Sequence, residues 1–162
     1  MKKTNAMRIL DGLKIQYETL EYEDNTDHAL SKGAANLTAS KLNEDANCVF
    51  KTIVMQNESK EIFVFCQNAT CEINLKKARN VSNSKEITPV KQEQLLALTG
   101  YVRGGCSPIG MKKKYRTFID ESVLLCDYVF ISAGIRGQQI KIAPQDLVKA
   151  CDATVCDLAL EA

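Results

Sequence analysis

The chain is poor in the residues that usually build a protein-borne catalytic or metal centre. Its 162 residues include one histidine, His28. A serine–histidine triad or a histidine-bearing zinc site therefore has a single imidazole to draw on. No C-x-x-C pair is present. The seven cysteines, Cys48, Cys66, Cys71, Cys106, Cys126, Cys151 and Cys156, are odd in number, and the nearest pairs (66/71 and 151/156) are five apart. Closed zinc sites show tighter pairing, so no metal and no cofactor is expected. The cysteines read as small buried thiols of a reducing compartment.

Long apolar runs are also lacking. Nothing approaches the roughly 18 residues a membrane helix needs, and the N-terminal Met1-Lys2-Lys3-Thr4-Asn5 is not followed by a secretory apolar segment. A cytoplasmic protein with no membrane partner is expected. The net charge of +1 excludes a general nucleic-acid binder, which needs a broad basic field. Two local clusters remain, Lys76-Lys77-x-Arg79 and Lys112-Lys113-Lys114-x-Arg116.

Glycine and proline are scarce too, eight and three in all, yet four glycines and one proline fall between Gly100 and Gly110. Glycine weakens backbone order wherever a packed side chain could stand instead. Its concentration in Gly-Tyr-Val-Arg-Gly-Gly-Cys-Ser-Pro-Ile-Gly points to unusual φ angles or to close approach to the backbone. A second glycine turn, Ala133-Gly134-Ile135-Arg136-Gly137, follows. Peptide N–H groups exposed at such turns can donate to a phosphate, a carbonyl or a developing oxyanion, and Ser107 and Ser132 add hydroxyls. Neither turn is a G-x-G-x-x-G or P-loop fingerprint.

The length suits one domain over residues 1–162. Thr4 can cap a helix over Asn5–Lys14 with Ala6, Met7, Leu10 and Leu13 inward. Strands are expected at Ile15–Tyr22, Val49–Gln56 and Glu61–Gln67, the last two forming a hairpin around Asn57–Lys60. A weak helix is expected over Leu30–Leu42 and a short one over Leu75–Val81. Thr88-Pro89 reads as the start of a helix to Leu98, stopped at Gly100. Strands at Arg116–Asp120, Tyr128–Ser132 and Gln139–Ile142, a helix from Pro144 to Lys149 and a strand at Ala153–Cys156 complete the order. Irregular mixing with hairpins predicts an α+β fold on a mixed, barrel-like sheet surrounded by helices.

Lys51 is a second signal. In Val49-Phe50-Lys51-Thr52-Ile53-Val54-Met55, alternation puts Lys51 on the face of Val49, Ile53 and Met55. Both faces are largely apolar, so this lysine should meet a carboxylate, carbonyls or a bound anion. Cys106 would need a base or a depressed pKa to act as a nucleophile, and no sequence feature places His28 beside it. The residues alone show no protein catalytic set.

The blocks Val49-Phe50-Lys51-Thr52, Thr99 to Gly110 and Ile131-Ser132-Ala133-Gly134-Ile135-Arg136-Gly137 together resemble the YbaK/EbsC family in order and spacing. Its members are bacterial Cys-tRNA(Pro) deacylases, freestanding relatives of the editing domain inserted in prolyl-tRNA synthetases. The resemblance implies trans-editing hydrolysis of mischarged Cys-tRNA(Pro), in which the substrate thiol attacks its own ester and the protein supplies position and polar stabilisation. It implies that Lys51 holds the terminal adenosine's phosphate or neighbouring polar atoms, with Thr52 beside it. Tyr22 and Tyr101 would line the pocket, Gly104, Gly105, Ser107 and Pro108 would border the ester, and Ser132 and Gly134 would face it. The implied partners are the 3′ end of an aminoacyl-tRNA and prolyl-tRNA synthetase. Gln139 stands where some members carry an acidic residue, and Glu23 to Asn47 departs from the family pattern. Deacylation of alanyl- or seryl-tRNA, or a non-catalytic module binding tRNA 3′ ends or a synthetase, are the alternatives left open.

Overall fold

The computed structural model describes residues 2–22 and 45–160. The helix expected over Leu30–Leu42, and His28, lie outside them.

Thr4 caps the first helix, α1 (Asn5–Gly12), accepting from the Met7 N–H. Ala6, Met7 and Leu10 are buried, but Leu13 lies beyond the last turn and is exposed. After the short β1 (Glu18–Glu21) and a 3-10 turn at Ala46–Cys48, the hairpin forms as expected from β2 (Phe50–Asn57) and β3 (Ile62–Asn68). Asn57 is part of the strand. Its Oδ1 accepts from the Ser59 and Glu61 N–H groups, and Lys60 takes a left-handed φ of 59° to close the loop.

Helix α2 (Leu75–Ser82) starts at Asn74, whose side chain caps two N–H groups. The helix expected to begin at Thr88-Pro89 does not begin there. Ile87–Pro89 is a strand, β4, and α3 (Gln92–Thr99) begins three residues later with Lys91 as N-cap. Proline is tolerated in β4 because that strand sits at a sheet edge. Gly100, at φ 85°, ends α3 as expected. There follow β5 (Arg116–Asp120), β6 (Val129–Ser132), β7 (Gln138–Ile142), α4 (Pro144–Cys151) and β8 (Thr154–Cys156).

The described strands make two sheets rather than one closed barrel: an antiparallel set, β1-β7-β6, and a mixed one, β4-β2-β3-β5-β8. An isolated parallel bridge between Val49 and Phe130 links them. The main core fills the space between the sheets. It takes Phe50, Val64, Cys66 and Ile119 from one sheet, Val129, Ile131, Ile140 and Ile142 from the other, and Met7, Leu10 and Leu147 from α1 and α4. The opposite face of the five-stranded sheet carries a second cluster, where Met55, Phe63, Phe65 and Phe118 pack beneath α2 and Leu158. Burial on both faces explains the near-continuous apolar run of β3.

Candidate functional site

The glycine loop is held by its own polar groups. The Tyr101 hydroxyl donates to the Ile109 carbonyl at 2.6 Å, and the Ile109 N–H donates to Ser107 Oγ at 3.2 Å. Thr99 Oγ1 accepts from the Tyr101 N–H at 3.0 Å, while the Lys112 N–H closes the loop on the Thr99 carbonyl. Tyr101, Ser107 and Pro108 are buried, and the Pro108 carbonyl accepts from the Cys151 thiol at 3.7 Å.

Two glycines let this loop meet the second turn. A Cβ on Gly105 would come within 3.0 Å of the Ile135 Cα and 3.1 Å of the Arg136 nitrogen. Gly134 has φ 110°, and a Cβ there would lie 2.8 Å from the Tyr101 ring. The glycines are there because one backbone packs on the other. Ser132 Oγ accepts from the Gly134 N–H at 3.2 Å, pinning the second turn to the end of β6. The Tyr22 N–H donates to the Gly137 carbonyl at 2.9 Å, which brings the end of β1 to the same place.

Register extends the site across the sheets. Directly opposed residues on neighbouring strands share a face. Lys51 lies opposite Gln67, and Ser132 opposite Gln139, which in turn lies opposite Leu20. The Val49–Phe130 bridge is parallel, so Lys51 and Ser132, each two residues further on, lie on the same face. Gln67, Lys51, Ser132 and Gln139 thus form one polar row on a single face. Beside the row is a small apolar floor of Val49, Phe130 and Leu20. The row ends at the paired glycine turns.

Lys51 is half-buried, and desolvation lowers its pKa against the opposing pull of Glu72 and Cys71. Thr52 points the other way. Its hydroxyl hydrogen-bonds the Cys66 sulfur within the main core, and burial pushes that thiol up to about 12. Thus Ser132, Gly134, Gly105 and Tyr22 meet at the second turn, Lys51 shares the face of Ser132, Tyr101, Ser107 and Pro108 serve as the buried frame of the loop, and Thr52 faces the opposite side. Gly104, at φ 87°, provides the sharp bend before Gly105. Gln67 was not singled out from sequence. No sequence signal marked it, because the turn expected over Asn57–Lys60 sets Cys66 rather than Gln67 opposite Lys51.

Cys106 is pushed up to about 12 by burial, despite a hydrogen bond with Thr99. It is a neutral thiol at ordinary pH, unsuited to nucleophilic attack. The uniform reading of the cysteines needs correction: Cys48 and Cys126 form a disulfide. The 3-10 turn before β2 and the one before β6 (Glu121–Leu125) bring these two residues together, a proximity that no sequence spacing indicates. The other five are free.

Residues 32–150 match the family described as aminoacyl-tRNA editing domain. A relative from Enterococcus faecalis, provisionally named Cys-tRNA(Pro)/Cys-tRNA(Cys) deacylase EbsC, is 35% identical over 147 residues, covering 91% of this chain and 87% of its own. A proline–tRNA ligase of Brachyspira hyodysenteriae is 33% identical over 81 residues, half of this chain and 14% of the ligase. The fold also matches a crystal structure described as a provisional trans-editing enzyme for prolyl-tRNA synthetase, with a TM-score of 0.83 at 20% identity, covering 99% of this chain and all of that one. On the extent of these matches, together with the two interlocked glycine turns, the chain belongs to the aminoacyl-tRNA editing domain family.

Proposed function

We propose that the chain is an aminoacyl-tRNA deacylase that removes cysteine from mischarged Cys-tRNA(Pro). The observation that carries this reading is a polar row ending at two packed glycine turns, beside a cysteine that desolvation keeps neutral. Such a site can hold and polarise an ester, and the attacking atom comes from the substrate. The substrate's thiol, once deprotonated, attacks its own carbonyl carbon. The bond from that carbon to the ribose oxygen breaks, the oxygen takes up a proton as the 3′-terminal hydroxyl, and a four-membered cyclic thioester departs. Peptide N–H groups of the glycine turns stabilise the oxyanion. Lys51 binds the terminal phosphate, and the chain fixes the ester where intramolecular attack is favoured. The likeness to a proline–tRNA ligase supports association with prolyl-tRNA synthetase, which would supply the tRNA selectivity that a net charge of +1 does not.

The test is a panel of mischarged tRNAs with the purified protein. Cysteine should be released faster than alanine or serine from tRNA(Pro), and blocking the substrate thiol should stop release. Faster release of alanine overturns the substrate assignment. Unchanged release after thiol blocking overturns self-attack in favour of water. Lys51→Met keeps the apolar stem and removes the charge, and deacylation should fall about 10- to 100-fold with the loss of a charge-assisted hydrogen bond.

A further inference from the structure

We propose that Gln67 is a substrate-binding residue whose Nε2 donates to the phosphate of the terminal nucleotide, so that Gln67 and Lys51 form a two-donor clamp. The inference rests on the aminoacyl-tRNA reading above.

Gln67 is 0% exposed, yet its Nε2 is buried without a hydrogen-bond partner. Its orientation is fixed by chemistry. The Asn68 N–H donates to Gln67 Oε1 at 2.7 Å, and only the oxygen end of the amide can accept that bond. The free end is therefore the amino group, a donor only. Burying an unpaired donor disfavours folding, so such a group calls for an acceptor, and one arriving with substrate must displace what covers the amide.

The ladder names the kind of acceptor. Gln67 lies directly opposite Lys51, and opposed side chains in an antiparallel pair have Cβ atoms about 5 Å apart. The lysine ammonium is likewise donor-only. Two neighbouring donors, one cationic, half-buried and only partly offset by the field of Glu72 and Cys71, fit a group with several anionic oxygens better than a hydroxyl or an amine. A phosphodiester offers those oxygens, and the substrate carries one at the nucleotide next to the reacting ester. Ser132, on the same face as Lys51, places the glycine turns further along the same row.

The test uses the full chain and two minimal substrates, 3′-O-cysteinyl-adenosine with and without a 5′-phosphate. Wild type should favour the phosphorylated substrate through KM. Gln67→Met keeps length and volume. It should raise KM for the phosphorylated substrate about tenfold and leave kcat, and all constants for the phosphate-free substrate, within about twofold. Equal losses on both substrates would assign Gln67 to packing or an internal water and overturn the proposal, as would an unchanged preference for phosphate. Should Gln67→Met unfold, Gln67→Glu retains the acceptor for Asn68 and places a carboxylate against the phosphate. It should abolish the preference at least as fully. Calorimetric binding of AMP against adenosine separates this idea from the one beneath it. If wild type deacylates neither substrate, the aminoacyl-tRNA reading fails, while a Gln67-dependent advantage of AMP still supports the clamp and its absence still refutes it.

Discussion

Gly134→Ala tests whether the two glycine turns are locked together. The substitution acts twice. At φ 110° an alanine takes a conformation that L-residues disfavour by about 1–2 kcal/mol or more. The added methyl would also stand 2.8 Å from the Tyr101 ring. That ring cannot simply swing aside, because Tyr101 is only 6% exposed and its hydroxyl is bound to the Ile109 carbonyl. Overpacking of this kind costs about 1–3 kcal/mol. The two together predict a loss of about 3 kcal/mol, which for a chain of this size lowers Tm by about 6–12 °C. Deacylation at a temperature where the variant is folded should fall as well, since displacing the turn, which Ser132 pins to β6, moves the peptide groups proposed to face the ester. Gly105→Ala isolates the steric part. Its φ is not left-handed, but the new methyl would meet backbone at 3.0 Å, so a loss of about 1–3 kcal/mol is expected. Gly12→Ala is the control: nothing lies within 4 Å of a Cβ there and no left-handed φ is required. It should be neutral or gain about 0.5–1 kcal/mol. Thermal denaturation followed by circular dichroism reads all three. A Gly134→Ala protein that melts with wild type would refute the interlocking, and equal losses in all three would mean that close approach of the turns is not what selects glycine.

The cysteines make two further predictions. Cys106→Ala should keep deacylation within about threefold, since a thiol held near 12 by burial is protonated at neutral pH; complete loss in a folded variant would restore a protein nucleophile. The Cys48–Cys126 bond spans 78 residues of sequence, so Cys126→Ser should lower stability by about 2–4 kcal/mol under non-reducing conditions. Excess dithiothreitol should bring wild type down to the variant in urea denaturation, and a difference that persists in reductant would mean that packing, not the cross-link, is responsible.

Much of this architecture is legible in order along the chain, because it rests on local signals. Thr4 caps α1, Gly100 ends α3 in a left-handed φ, and Pro144 opens α4, each through a short-range stereochemical requirement. The same kind of signal misleads at Thr88-Pro89, where a helix-start pattern lies in an edge strand. Pairing with Met55–Asn57 of β2 overrides it. The glycine concentration likewise marks the candidate site, though not the reason for it. Close approach of the Gly105 backbone to Ile135, and of Gly134 to Tyr101, is a contact between segments some 30 residues apart that exists only in three dimensions.

By itself the sequence determined the α+β class, the element order, the alternation that sets Lys51 apart from Thr52, and the two glycine turns with their family resemblance. Tertiary structure alone decided what stands beside Lys51. A four-residue turn over Asn57–Lys60 would set Gln56 against Glu61 and Lys51 against Cys66, whereas the observed loop, with Lys60 in a left-handed conformation, pairs Asn57 with Glu61 and Lys51 with Gln67. Because side chains alternate along a strand, that single residue of register exchanges a core thiol for a buried amide opposite the lysine. The parallel bridge from Val49 to Phe130 then sets Ser132 on the same face, joining parts of the chain that no local periodicity connects.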